Sequence, residues 1–111
     1  MKQIKNVWMY ARRRGSDAQL DLQIAAMEKN IADAGYHAVG VSQDETDCWM
    51  LNRSGLKQAL AAVKTGKADA VMVTRLTNIS QCDARRERFI RKLQKYGGML
   101  LVNNIPYTPD Q

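Results

Sequence analysis

The chain has 111 residues, enough for one hydrophobic core and too few for two, so a single domain over residues 1–111 is expected. Apolar residues make up 45% of it and only two residues are proline, which excludes a disordered or low-complexity chain. Seventeen Lys and Arg against eleven Asp and Glu give a net charge of +6, which favours a polyanionic partner and also serves solubility.

The first element is predicted from Ile4 to Ala11, where Val7, Trp8, Met9 and Tyr10 run in succession as in a strand covered on both faces. A loop, Arg12 to Asp17, follows. Ser16 with Gln19 three residues on forms a capping-box pattern, and Leu20, Ile24, Met27 and Ile31 then recur at helical spacing up to Gly35, a helix of about four turns. His37 to Val41 is predicted as the second strand, with His37 at a core edge or on the surface. A polar loop from Asp44 to Asn52 comes next; its Trp49 and Met50 are either a plug over the core or a contact patch.

Leu56, Leu60 and Val63 mark a second helix ending near Gly66, and Ala68 to Thr74 is a short apolar strand. The third helix, Asp83 to Tyr96, buries Phe89, Ile90 and Leu93 and stops at Gly97-Gly98. Met99 to Val102 is the fourth strand. Strict β/α alternation predicts an α/β three-layer sandwich: a mostly parallel sheet of four strands, or five, with helices on both faces and right-handed crossovers.

Ligands of such sheets gather beyond the carboxyl ends of the strands, here Arg12 to Ser16, Gln43 to Arg53 and Arg75 to Ser80. Arg12, at a strand end, offers a planar fork of donors suited to phosphate oxygens, and Arg13 and Arg14 add positive potential. The competing reading is a solvated loop with one arginine paired to Asp17 or Asp44. Arg53 and Arg75 would complete a phosphate-binding trio with Arg12, or each makes its own salt bridge.

The third helix carries Arg85, Arg86, Arg88, Arg91, Lys92 and Lys95, either as a solvated face or as a contact for DNA phosphates or an acidic partner. No glycine-rich nucleotide motif occurs, so no cofactor is expected. Cys48 and Cys82 lie far apart with a single histidine in the chain, which gives no metal site and no disulfide framework. No apolar run approaches the ~18 residues that span a bilayer, so a cytoplasmic protein without membrane contact is expected.

Tyr10-Ala11-Arg12, Leu20-Asp21-Leu22-Gln23, Asp44, Arg53-Ser54-Gly55-Leu56 and the run from Ala68 to Ser80 resemble, in order and spacing, the N-terminal catalytic domain of the serine recombinases, the resolvase and invertase family. The likeness covers roughly residues 4 to 105. It implies a resolvase-like fold and a reaction in which a serine hydroxyl attacks a DNA phosphodiester, with arginines neutralising the phosphate.

The family pattern after its first strand is tyrosine, any residue, arginine, valine or isoleucine, serine. Here Arg12 keeps the arginine and Arg14 fills the serine position. A protonated guanidinium has no lone pair for attack on phosphorus. Ser16, two residues on, is displaced by several Å, makes a poor substitute and reads as a helix cap. Asp44 fits the family's acidic residue after the second strand and Arg53 its arginine before the second helix. The family's D-R-L-S-R segment reads Thr74, Arg75, Leu76, Thr77, Asn78, so only its central arginine survives.

The resemblance therefore implies a catalytically inactive recombinase-like domain with residual binding at Arg12, Arg53 and Arg75. Expected partners are DNA, bound weakly and without sequence preference, a second copy of the chain, or a recombinase-like protein. The separate DNA-binding domain that follows in the family is expected to be missing. Two other readings stand beside this one: an active recombinase fragment using a displaced serine, and a regulatory or structural interaction domain unrelated to DNA.

Overall fold

The computed structural model describes residues 4–13, 17–45, 54–79 and 82–107, without the side chains of Arg13, Asp17 and Glu45. In chain order the elements are β1 (Asn6–Arg13), α1 (Asp17–Ala34), β2 (His37–Glu45), α2 (Ser54–Lys64), β3 (Ala70–Val73), a 3-10 turn (Leu76–Asn78), α3 (Asp83–Lys95), β4 (Met99–Val102) and β5 (Ile105–Tyr107). The sheet order is β2-β1-β3-β4-β5. The first four strands are mutually parallel and β5 pairs antiparallel with β4. The fifth strand is thus present, reached through a turn in which Asn103 takes a left-handed φ of 54°.

Alternation along β1 divides the core. Val7, Met9 and Ala11 face α1 and pack with Leu20, Met27, Ile31, Ala70, Met72 and Leu101. Trp8 and Tyr10 face the other way, onto Ala59, Ala62 and Val63 of α2 and Phe89, Ile90 and Leu93 of α3. Both sides of β1 are therefore buried, which is why its sequence reads as an unbroken apolar run. One helix lies on the first face and two on the second, the arrangement that right-handed crossovers impose on this strand order.

Helix ends follow local chemistry. After α1, Gly35 has φ +76°, and the pair Tyr36 N–H to Ile31 carbonyl (3.0 Å) and Gly35 N–H to Ala32 carbonyl (3.1 Å) closes the helix in a Schellman turn. The same turn ends α3, with Gly97 at φ +81°. Helix α1 has 18 residues, five turns rather than four. The larger difference lies at β2, which runs to Glu45 where a loop is predicted from Asp44.

Candidate functional site

Helix α1 covers one face of the sheet and α2 and α3 the other, so the connections after β1 and β3 leave the sheet in opposite directions. Their strands are neighbours, and a crevice opens between their carboxyl ends, where open α/β sheets bind ligands. The candidate residues at this edge divide into a rigid frame and an exposed rim.

Two parallel hydrogen-bonded tethers build the frame from β1 through β2 to the start of α2. Trp8 Nε1 donates to Ser42 Oγ (2.9 Å), and Ser42 Oγ–H donates to the Gly55 carbonyl (2.6 Å). Two residues further along both strands, Tyr10 Oη donates to Asp44 Oδ2 (2.7 Å). The same carboxylate accepts from the Gly55 N–H at Oδ1 (2.8 Å) and the Leu56 N–H at Oδ2 (3.0 Å). Asp44 is thus an N-terminal cap for α2 delivered from a different element, and its charge suits the positive end of that helix.

Gly55 is demanded by this approach: a Cβ there would lie 2.5 Å from the Gln43 carbonyl oxygen. Asp44 is buried and belongs to this cap, and no ion pair joins it to Arg12. What the structure shows of Asp44 is a group that fixes where α2 begins.

Arg12 is only 4% exposed. Its main chain is gripped by Gln23 of α1, whose Oε1 accepts from the Arg12 N–H (3.4 Å) and whose Nε2 donates to the Arg12 carbonyl (3.0 Å). Its Nη1 donates to the Thr77 carbonyl (3.2 Å), tying the end of β1 to the turn after β3. Among the described residues no carboxylate pairs with this guanidinium. Asn78, also buried, completes the network by donating from Nδ2 to Gln23 Oε1 (3.3 Å) and to Thr74 Oγ1 (3.1 Å).

Arg75 sits in the same turn with its side chain exposed. With Gln19, Leu22, Gln23, Thr74 and Asn78 it lines an open cleft of about 400 Å³ between α1 and the turn after β3. Arg12 does not line that cleft; it supports the turn from behind. Arg53, Arg14 and Ser16 lie outside the described residues, as do Trp49, Met50 and Cys48. Arg53 directly precedes Ser54, the first residue of the helix that Asp44 caps.

His37 is exposed at the start of β2. Cys82 precedes α3 and is exposed; the Arg85 backbone amide foremost, then that of Ala84, holds its thiol below the ordinary value. Among the described residues no three His, Cys, Asp or Glu are grouped to hold a metal ion, and no helix is long and apolar enough to cross a membrane.

Comparison with known proteins decides the ancestry of this frame. Residues 7–111 match the family described as Resolvase, N terminal domain. The chain belongs to the resolvase N-terminal domain family. Among solved structures, the C-terminal catalytic domain of ISC1926 TnpA, an IS607-like serine recombinase, is similar at TM-score 0.80 and 22% identity, over 87% of this chain and 68% of that one. The N-terminal catalytic domain of TP901-1 integrase follows at TM-score 0.79 and 19% identity, over 91% and 79% of the two chains. A resolvase family site-specific recombinase from Streptococcus pneumoniae gives TM-score 0.79 and 22% identity, over 96% and 78%. These identities carry the fold. No curated protein sequence matches the chain.

Within the resolvase-family domain, three residues of the frame were not singled out from the sequence: Gln23, Ser42 and Gly55. Gln23 was visible only as part of the Leu20-Gln23 motif. Its signal is a polar residue one turn before Met27 on the face that packs against β1. Gly55 is legible as a glycine at the second position of a helix, where nothing but close approach favours it.

Proposed function

We propose that the chain is a non-catalytic resolvase-family domain that still binds DNA phosphate at the carboxyl edge of its sheet. The cation that the structure places on that edge is Arg75, with buried Arg12 bracing its turn; Arg53, next in sequence to the start of α2, is its proposed companion. The observation that carries this reading is the hydrogen bond between Asn78 and Thr74. These residues stand at the resolvase positions of the second arginine and the aspartate, and they contact each other as a neutral pair. A lone charge at either position, half-buried at 74 and buried at 78, costs about 1–4 kcal/mol, so the two losses are energetically linked.

Arg14 at the nucleophile position points the same way, because no hydroxyl remains there to form a phosphoserine ester. The intact frame supports retained binding. Gln23, Arg12 and Thr77 hold the turn that presents Arg75, and Asp44 holds the helix that follows Arg53.

The deciding experiment incubates the chain with supercoiled plasmid, denatures it, and looks for protein covalently joined to DNA. The expected result is no adduct together with salt-dependent retention of DNA that weakens in R75A. An adduct mapped to Ser16 would establish the displaced-serine recombinase instead. Retention unaffected by R75A would remove this edge as the phosphate site.

A further inference from the structure

Helix α3 holds six basic and two acidic residues among 13, a net charge of +4 in a chain whose total is +6. Its inward face is committed to the core through Phe89, Ile90 and Leu93. Arg86 pairs with Asp83 at the first turn. The outward stripe is Arg88, Arg91, Lys92 and Lys95, all exposed. Its one acid, Glu87, reaches only 3.8 Å from Arg91, and both side chains are solvated, so the pair neutralises little.

The stripe continues beyond the helix. Lys95 and Lys64, the last residues of α3 and α2, both lie over the ring of Tyr96, at 5.9 and 5.6 Å from its centroid. Both ammonium groups add their positive potential to this end of the stripe. The surface therefore spans the seam between two helices. It lies on the opposite face of the sheet from the cleft lined by Arg75 and shares no residue with it.

We infer that this face of α2 and α3 binds the sugar–phosphate backbone of duplex DNA. A membrane-surface helix inserts an apolar side, but the apolar side of α3 is already buried in the core. Single-stranded nucleic acid is held by stacking its bases on a series of aromatic faces, and the outward stripe of Arg88, Arg91, Lys92 and Lys95 carries no aromatic residue. A protein interface is anchored by aromatic or apolar side chains at its centre, and the stripe offers none. Duplex phosphates need none of these. From Arg88 to Lys95 the helix rises about 10 Å, alongside on the order of six duplex charges.

The test measures fluorescence anisotropy of a labelled duplex with the full chain, its R88A/K92A/K95A variant and R75A over a range of salt, with circular dichroism confirming that the variants fold. For the wild type, binding should weaken roughly 10²-fold between 50 and 200 mM salt. The triple variant should bind more weakly, with a salt slope shallower by about 2.7, whereas R75A changes the slope by no more than about 0.9. An unchanged slope in the folded triple variant overturns the inference. So does a wild type that fails to bind duplex at 50 mM salt, that prefers the single strand, or that binds phosphatidylserine vesicles instead of DNA.

Discussion

Asn78 Nδ2 donates to Thr74 Oγ1 at 3.1 Å, one turn apart after β3 and directly above the Gln23 side chain that clamps Arg12. Two positions that carry opposite charges in the resolvase family are here neutral and bonded, and the fold around them is complete. Restoring one charge should therefore be worse than restoring both. N78R places a guanidinium where the native side chain is buried and removes the bond to Gln23, at an expected cost of about 2–4 kcal/mol. T74D alone should cost about 1 kcal/mol, because residue 74 is only half-buried. T74D/N78R should recover about 1–2 kcal/mol relative to the sum of the singles. Urea unfolding of the four proteins measures this coupling, and strict additivity would mean that the two side chains do not act as a pair.

The cap on α2 gives a second prediction. Asp44 accepts from Tyr10 and from two amides of α2 at once, all buried or half-buried. D44A removes an acceptor shared by a hydroxyl and two N–H groups and should destabilise the domain by about 2–4 kcal/mol. D44N should be nearly as harmful, since three donors then converge on a group with a single acceptor oxygen. Y10F removes one donor and leaves the cap intact, so about 1 kcal/mol is expected. Chemical denaturation should rank the variants in that order; a D44N protein as stable as the wild type would show that the carboxylate charge is dispensable.

These two clusters also explain what could be read in the sequence. The layers were legible because each strand and helix carries its own periodicity: Val7 to Ala11 for a strand covered on both sides, Leu20 to Ile31 for one helical face. The charged frame was less legible because its bonds cross elements. Asp44 looks like a loop residue by composition, yet it lies inside a strand, one residue before its end, and caps a helix that begins ten residues later. Arg12 was recognisable as a strand-end cation, but only the fold shows that its guanidinium faces the Thr77 carbonyl while Arg75 holds the open rim. The short β5 was only half expected, because a central proline and the exposure of Ile105 and Pro106 leave it without an apolar pattern.

Cys82 titrates against the start of α3. The Arg85 amide foremost, then the Ala84 amide and the Arg85 charge, favour the thiolate, while desolvation and Asp83 oppose it, and the net direction is downward. In a C48S background, iodoacetamide should label Cys82 with a midpoint at lower pH in the folded chain than in urea. R85A should move that midpoint upward without abolishing the difference, since the backbone amides remain. Coincident folded and unfolded midpoints would refute this account of the thiol.

Reversal of the proposed loss of chemistry gives the sharpest contrast. If Arg14 were the sole obstacle, R14S would restore a nucleophile beside an intact frame and produce a covalent DNA adduct. The neutral Thr74–Asn78 pair argues otherwise, because a phosphoryl transfer without metal needs fixed cations where charge develops, and each missing one typically costs about 10²–10³ in rate. R14S alone should therefore form adduct at least about 10²-fold more slowly than R14S/T74D/N78R. Trapping on supercoiled plasmid over a time course separates the two. Equal rates would place the whole loss at residue 14 and make the changes at residues 74 and 78 incidental to catalysis.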